Sequence, residues 1–212
     1  MVDVLARHYN VFKQELGTLR EHQVNIHVDP AAHPRFYKAR PLLHALMDGV
    51  DAEIDRLLRL GIITPVKQSQ LAAPVLPVVK RDNSIHLCGD YKITVNQASP
   101  PDPYPIPGIE DLYATLADGK IFTKLNMSQA YQQLELDVPS RAFTTINTHR
   151  DIFQYTRLPF GVSGLPDIFQ RTIKNVLQGI PHVSVYLDDI LITGTSGQEH
   201  LEKLELVLQC LE

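Results

Sequence analysis

The segment HVSVYLDDILIT, residues 182–193, places two adjacent aspartates between two short runs of apolar, mostly β-branched residues. Burying Asp188 and Asp189 in such a stretch is costly, because desolvation and mutual repulsion both oppose their ionisation. A turn between the two runs would bring both carboxylates to the edge of a sheet, where a divalent cation would remove the repulsion. Oxygen ligands of this kind suit Mg2+ or Mn2+, which keep some of their waters and take up substrate phosphates.

The same segment has a second explanation, an exposed hairpin turn, since Asp is a common turn residue. From these residues alone both explanations stay open. A site for two metal ions also needs a further carboxylate from elsewhere in the chain, expected at the end of another central strand. The candidate strand, residues 120–126, ends in Asn126 and therefore lacks that carboxylate.

The amino-acid composition alone excludes several classes of protein. The chain has 212 residues, of which 44% are hydrophobic and 21% charged, and this excludes a disordered tail, a collagen-like repeat and a coiled coil. The net charge of -4 argues mildly against a dedicated nucleic-acid binder, although Lys and Arg concentrate between residues 35 and 92. Two cysteines and unpaired histidines favour neither a disulfide framework nor zinc.

Apolar runs are all shorter than a membrane span, and the first residues lack a secretory signal pattern. We therefore expect an intracellular protein, cytoplasmic or nuclear, with no membrane partner.

The spacing of apolar and turn residues predicts an α+β fold, in which an antiparallel sheet is backed by helices. A helix is expected from Asp48, as its cap, to Gly61, and a hairpin at residues 74–91, whose Pro74 and Pro77 exclude the first strand from a central position. Five prolines at residues 100–107 mark the best subdomain boundary. Further strands are predicted at residues 120–126, 134–137, 142–147 and 152–156, and helices at residues 166–178 and 201–211.

Five short motifs occur together in this chain, in an order and spacing that are typical of one known family. They are Cys-Gly-Asp-Tyr-Lys at residues 88–92, Ala-Tyr-Gln-Gln at 130–133, Leu-Pro-Phe-Gly at 158–161, Phe-Gln-Arg at 169–171 and Tyr-Leu-Asp-Asp at 186–189. A lone Tyr-x-Asp-Asp is a weak signal, but its spacing from the two preceding motifs is specific. From about residue 38 to residue 211 the sequence resembles the reverse transcriptase of gypsy-like LTR retrotransposons.

The resemblance implies a right-hand polymerase with fingers and palm. It implies an N-terminal extension at residues 1–40, loosely ordered, a fingers-like subdomain at 41–107 and a truncated palm-like subdomain at 108–212, with the thumb absent. The implied activity is RNA-directed DNA synthesis, in which two Mg2+ (or Mn2+) ions assist nucleotidyl transfer. The implied partners are an RNA or DNA template-primer and dNTPs.

By position, Asp188 and Asp189 match the family's paired metal carboxylates. Asn126 occupies the place of the family's first metal aspartate. An amide can offer a neutral oxygen but no charge, so we expect weakened metal binding and weakened catalysis.

The resemblance also assigns substrate-binding residues. Tyr131 matches the ring beneath the incoming sugar, and Phe160 and Gly161 match the floor of the nucleotide pocket. Lys80 falls near the family's triphosphate-binding lysine. His86 stands where the family usually has an arginine, and a largely neutral imidazole cannot make the same bidentate contact with phosphate.

Three functions remain for the site. The first is a polymerase with weak residual activity, and the second is an inactive remnant or domesticated copy that binds nucleic acid or a protein. The third, an unrelated two-metal phosphotransferase, is disfavoured by the Leu-Pro-Phe-Gly motif.

Overall fold

The computed structural model describes residues 2–19, 22–99 and 107–212. This part of the chain is α+β, as predicted. Its helices are α1 Val2–Arg7, α2 Met47–Arg59, α3 Val95–Ala98, α4 Ile109–Thr115, α5 Val138–Arg141, α6 Leu165–Val176 and α7 Gly197–Leu211. Its strands are β1 Gln23–Val24, β2 Ile63–Pro65, β3 Ala73–Val79, β4 Ile85–Gly89, β5 Ile121–Asn126, β6 Glu135–Leu136, β7 Thr145–Asn147, β8 Ile152–Tyr155, β9 Val183–Tyr186 and β10 Asp189–Gly194.

The chain divides into two compact units, each built from separate stretches of sequence. The first unit comprises Met1–Glu15, Pro103–Ala130 and Pro166–Glu212, and the second comprises Leu16–Asp102 and Tyr131–Leu165. The predicted boundary at residues 100–107 lies outside the described residues except for Pro107. The assignment of residues 41–107 to fingers and 108–212 to palm stays a prediction.

The first unit is organised around an antiparallel sheet with the strand order β5-β10-β9. Its central strand β10 is the most buried, and Ile190 and Ile192 are both inaccessible to solvent. Helix α7 packs on β10 and β5, and α1 packs on α7. The predicted C-terminal helix is thus confirmed, and it begins after Ser196, whose hydroxyl accepts the Glu199 N–H as an N-cap.

The second unit contains a five-stranded sheet with the order β2-β8-β7-β3-β4 and the short parallel pair β1-β6. Helix α2 packs on β4 and β2 through the buried residues Val50, Ile54 and Leu57. The predicted hairpin is confirmed, since β3 and β4 pair from Val75↔Gly89 to Val79↔Ile85.

Three local predictions need correction. Strand β3 lies between β7 and β4, so its prolines do not exclude it from a central position. Pro77 is tolerated because β7 pairs only with Ala73 and Pro74, which leaves that edge of β3 open at Pro77. Helix α2 follows a 3-10 turn and has Leu46 at its N-cap, so that Asp48 lies in the first turn without capping.

The third correction concerns residues 142–147. Only Thr145–Asn147 form a strand, and the preceding Ala142–Thr144 form a 3-10 turn. The hydroxyls of Thr144 and Thr145 donate to the carbonyls of Arg141 and Ala142 at 3.0 and 2.8 Å. Such local bonds stabilise a turn in competition with the sheet ladder.

Across the described ranges, the helices lack the combination of length and apolar character needed to cross a bilayer.

The packing of α2 gives a direct test of the second unit's core. The Ile54→Ala variant removes a side chain that is fully buried, so we expect a loss of about 2–5 kcal/mol in the free energy of unfolding. Arg59→Ala, at an exposed position on the same helix, is the control and should change it by less than about 0.5 kcal/mol. Urea denaturation followed by circular dichroism measures both, and equal losses would contradict this packing.

Candidate active site

The two aspartates lie at a tight turn between β9 and β10. Strand β9 ends at Tyr186 and β10 begins at Asp189, which pairs with Tyr186, so Leu187 and Asp188 form the turn. Leu187 has a φ of 52°, in the left-handed region that two-residue hairpin turns commonly require. The turn that the sequence predicted between the two apolar runs is therefore confirmed.

Gln170 on α6 is hydrogen-bonded to the backbone of this turn. Its side chain is fully buried, its Nε2 donates to the Val185 carbonyl at 2.6 Å, and the Leu187 N–H donates to its Oε1 at 2.9 Å. The two bonds fix the backbone on both sides of Tyr186 and so position the aspartates that follow. Sequence reasoning used Phe-Gln-Arg only as a motif and missed this role, although a Gln beside the buried Phe169 was a usable signal.

Asn126 ends strand β5 and faces Asp189 across the antiparallel ladder. Its Nδ2 donates to Asp189 Oδ1 at 2.9 Å, while the Met127 N–H donates to the Asp188 carbonyl at 2.9 Å. From the sequence, Asn126 and Asp188 are expected side by side on neighbouring strands. The register places Asp189 opposite Asn126 instead, because Asp188 lies in the turn.

Lys124, two residues before Asn126 on β5, supplies a cation to the same carboxylate. Its Nζ lies 2.7 Å from Asp189 Oδ2. The hydrogen bond from Asn126, and then that from Lys124, hold the pKa of Asp189 below its usual range. Sequence reasoning missed Lys124, although residues i and i+2 of a strand share one face and this spacing was visible.

The side chains at this site are poorly suited to bind a pair of divalent cations. Asp188 and Asp189 are oxygen ligands of the right type, but both oxygens of Asp189 already accept, one from an amide and one from an ammonium group. Within the described ranges no group of three or more His, Cys, Asp or Glu side chains is placed to hold a metal ion. A cation at Asp189 would have to displace Lys124 and turn the amide of Asn126.

A second cluster, in the second unit, joins three of the five residues assigned to substrate binding. The ring of Phe160 contacts His86 and Tyr131 edge-on, with centroid distances of 4.9 and 5.3 Å. Tyr131 is buried, whereas His86 and Phe160 are half-buried. The three rings therefore form one edge-to-face aromatic cluster, in which His86 and Phe160 are partly accessible to solvent.

Gly161 follows Phe160 in a conformation that requires glycine. Its φ is 95°, and an added Cβ would lie 3.3 Å from the Gly89 carbonyl oxygen. Asn96 bridges this turn, since its Nδ2 donates to the Gly161 carbonyl at 2.7 Å and the Ser163 N–H donates to its Oδ1 at 2.8 Å. The role of Asn96 had no signal in the local sequence, because its partners lie more than sixty residues away.

Lys80 and His86 lie at the turn end of the β3–β4 hairpin. Lys80 begins the turn and is exposed, while His86 pairs with Val78. Burial, and then the charge of Lys80, lower the pKa of His86, which keeps the imidazole neutral at neutral pH. Glu53, 3.8 Å from His86 Nδ1, opposes this shift, but Arg56 binds its carboxylate at 2.6 and 3.0 Å.

Comparison with known proteins gives one consistent result. The family described as reverse transcriptase (RNA-dependent DNA polymerase) matches residues 80–212. An uncharacterized protein of Caenorhabditis elegans is 34% identical over 192 residues, which are 90% of this chain and 15% of that protein. The retrovirus-related Pol polyprotein from transposon gypsy of Drosophila melanogaster is 32% identical over 186 residues, 84% of this chain and 18% of that protein.

Solved structures agree with the sequence relatives. A crystal structure of a mutant prototype foamy virus protease-reverse transcriptase matches 99% of this chain and 28% of its own, with a TM-score of 0.88 and 27% identity. The foamy viral enzyme in complex with an RNA/DNA hybrid matches the same shares of both chains, with a TM-score of 0.87 and 25% identity. The chain therefore spans less than a third of these structures and less than a fifth of the two sequence relatives.

The ion pair at Asp189 can be tested by titration. Lys124→Met removes the cation, so the pKa of Asp189 should rise towards its ordinary value, as followed by carbon-13 NMR of its carboxyl group. The pKa of Asp189 is depressed in the folded state, so the ion pair contributes its full stability at pH values above the unfolded-state pKa. This contribution to stability is lost as the pH falls through the folded-state pKa. Lys120→Met, at an exposed position beside β5, is the control, and an unchanged pKa in Lys124→Met would contradict the ion pair.

The role of Gln170 can be tested by removing both of its hydrogen bonds. Gln170→Leu leaves the Val185 carbonyl and the Leu187 N–H without their partner, so we expect a loss of about 2–4 kcal/mol in the free energy of unfolding. Amide exchange at Leu187 should also accelerate in the folded protein. Gln178→Leu, just beyond α6 and exposed, should change neither quantity, and slow exchange at Leu187 in Gln170→Leu would show that another contact holds the turn.

Proposed function

Because the chain belongs to the reverse transcriptase (RNA-dependent DNA polymerase) family, we propose that it is a retroelement-derived polymerase domain whose nucleotidyl transfer is impaired at Asn126. The observation that carries the proposal is the pairing of Asp189 with Asn126 and Lys124. In this chain the carboxylate that a catalytic metal needs accepts from an ammonium group and an amide instead.

The charges around Asp189 determine how large the impairment is. Two-metal transfer depends on anionic ligands that hold both ions, and on the charge these ions offer to the reacting phosphate. Asn126 supplies no negative charge, and the positive charge of Lys124 repels a cation at the same carboxylate. Loss of one electrostatic contact of this kind typically lowers the rate by about two to three orders of magnitude.

The substrate-binding roles belong to the same proposal. Tyr131, Phe160 and Gly161 contact the sugar and base of an incoming dNTP, and Lys80 binds its triphosphate. Support comes from the edge-on packing of the rings and from the glycine-only turn. His86 adds no positive charge at neutral pH, so triphosphate binding depends on Lys80.

The proposed macromolecular partner is an RNA or DNA template-primer. The foamy viral enzyme of similar fold binds an RNA/DNA hybrid, which supports the same class of ligand here. The Lys and Arg residues concentrated between residues 35 and 92 can bind backbone phosphates irrespective of the base sequence.

A second candidate function is an inactive binding module that holds nucleic acid or a protein. The observation that favours it is again the Lys124–Asp189 pair, because it satisfies the carboxylate without any metal. A binding module needs no negative charge at position 126, whereas a polymerase does.

Primer extension separates the impaired polymerase from the inactive module. With Mg2+ we expect no measurable synthesis from the unmodified chain, slight synthesis from Asn126→Asp and clearly more from Asn126→Asp with His86→Arg, because each change restores one charged contact. The double variant with Asp189→Asn added is the control and should be inactive.

If every variant stays inactive while each remains folded, the binding module is the better description. Synthesis by the unmodified chain at the rate of the double variant would contradict the proposed impairment at Asn126.

Salt dependence tests the nucleic-acid partner. Because phosphate contacts release counterions, the affinity for an RNA/DNA hybrid should fall linearly on a log–log plot against salt concentration, with little preference for sequence. Fluorescence anisotropy of a labelled hybrid measures this, and a labelled polyanion without bases, such as heparin, is the control for charge alone. Absence of hybrid binding at low salt would favour the protein-binding alternative.

A further inference from the structure

Arg157 is a cation, mostly shielded from solvent, that joins three segments of the second unit. Its side chain is 13% exposed, and its Nη1 donates to the carbonyls of Gly17 and Gln132, both at 3.1 Å. Its Nη2 donates to the hydroxyl of Thr18 at 2.7 Å. Gly17 and Gln132 lie 140 and 25 residues from Arg157 in the chain, so these bonds depend on the tertiary structure.

The loss of hydration at this arginine is compensated by its hydrogen bonds more than by an ion pair. Loss of hydration lowers the pKa of the Arg157 guanidinium group, and Glu135, whose Oε1 lies 3.6 Å from Nη2, opposes that shift. The Glu135 side chain is 39% exposed, so solvent weakens its attraction. A planar guanidinium group can donate to several acceptors in fixed directions, which suits it to hold separate segments together.

The first of these segments is the 3-10 turn Ala130–Gln133, which carries the buried ring of Tyr131. Arg157 binds the carbonyl of Gln132, the residue that follows Tyr131. The Leu134 N–H donates to the Tyr131 carbonyl at 3.1 Å. These bonds restrict the backbone from which the Tyr131 ring projects, and so restrict where the ring can lie.

The second segment contains Arg157 itself and carries the ring of Phe160, which packs edge-on against Tyr131. Between them, Leu158 is fully buried, and its N–H donates to the Leu134 carbonyl at 2.9 Å. This backbone bond and the side-chain bond from Arg157 both connect the segments that carry the two rings. Loss of either bond would allow one ring to shift relative to the other.

The third segment, which we call the strap, is residues 17–19. The Leu19 N–H donates to the Gln133 carbonyl at 2.9 Å, and the two residues before Leu19 accept from Arg157. The strap therefore binds the end of the turn that carries Tyr131 and also supplies two of the acceptors for the guanidinium group.

We propose that Arg157, held by the strap, is a positioning residue that sets the Tyr131 ring against the Phe160 ring for binding of a deoxynucleotide. This inference rests on the proposed function, which assigns both rings to the sugar and base of a dNTP. Arg157 acts through the backbone of the turn. A displacement of about 1 Å in a substrate-binding group can lower activity by about a hundredfold, so even a small movement of the turn matters.

The first measurement reports the positions of the rings and needs no nucleotide. With carbon-13 in the Tyr and Phe rings of the full chain, NMR records the nuclear Overhauser effect (NOE) between Tyr131 and Phe160. Arg157→Met removes the hydrogen bonds and keeps a long side chain, so this NOE should weaken. Amide exchange at Leu134 should accelerate by about tenfold, because the turn has lost hydrogen bonds to a charged donor.

Two further variants separate positioning from stability. Arg141→Met is the matched control, since Arg141 Nε also donates to a backbone carbonyl, that of Leu136 at 3.2 Å, outside the turn that carries Tyr131. It should leave the NOE unchanged, whatever its effect on stability. Thr18→Val, at an exposed position, removes one acceptor of the guanidinium group and should weaken the NOE with little change in the free energy of unfolding. Thr18→Val decides the matter if Arg157→Met does not fold.

The second measurement adds dATP with Mg2+ and follows the ring signals of Tyr131. It requires no catalysis, so the impairment proposed at Asn126 does not affect it. Arg157→Met should bind dATP about tenfold more weakly than the unmodified chain, and Arg141→Met should bind it equally well. If dATP leaves the Tyr131 signals of the unmodified chain unchanged, the substrate roles proposed for the rings are wrong, while the NOE still decides whether Arg157 positions Tyr131.

The positioning role is overturned if folded Arg157→Met keeps the NOE of the unmodified chain, or if Arg141→Met weakens the NOE as much. An unchanged NOE in Thr18→Val overturns the part assigned to the strap, and overturns the whole if Arg157→Met is unfolded. A weakened NOE with unchanged dATP affinity in Arg157→Met would show that nucleotide binding does not depend on this positioning. Circular dichroism establishes which variants are folded.

Discussion

The antiparallel pairing of β10 with β5 is the constraint on which the candidate active site depends. It places Asp189 directly opposite Asn126 and brings Lys124 within 2.7 Å of the same carboxylate. A slip of one residue would turn every side chain of the strand to the other face of the sheet and separate all three groups. Fully buried Ile190 and Ile192 on the central strand oppose such a slip, because it would expose them.

This pairing changes the electrostatics of two adjacent acids. In an apolar segment, paired aspartates need compensating positive charge, and a divalent cation is the usual solution. Here Lys124 compensates Asp189 from within the chain, and Asn126 adds a hydrogen bond in place of a further negative charge. Asp189 is therefore held in its ionised form by groups of the chain itself, which is favourable for stability and unfavourable for binding a catalytic metal ion.

Short-range patterns allowed much of the fold to be predicted from the sequence. The β3–β4 hairpin and helices α6 and α7 follow from local periodicity and turn residues, and β5 ends at Asn126 as expected. The contacts of Lys124, Gln170 and Asn96 were not predicted, because they depend on strand register or on partners distant in the chain. Strand β3 was predicted at the edge of the sheet because proline lacks the N–H that a central strand needs. It lies inside the sheet because β7 pairs with only its first two residues, and the sequence gives no signal of where that pairing stops.

The proposed impairment requires that Asn126 and Lys124 together weaken metal binding at Asp189. Its most direct measurement is paramagnetic broadening of the backbone amide signals of Met127 and Ile190 during a titration with Mn2+, in the unmodified chain and in a variant with Asn126→Asp and Lys124→Met. We expect the variant to bind Mn2+ at least about tenfold more tightly, since two unit charges near one carboxylate have changed. Equal affinities in the two proteins would contradict it.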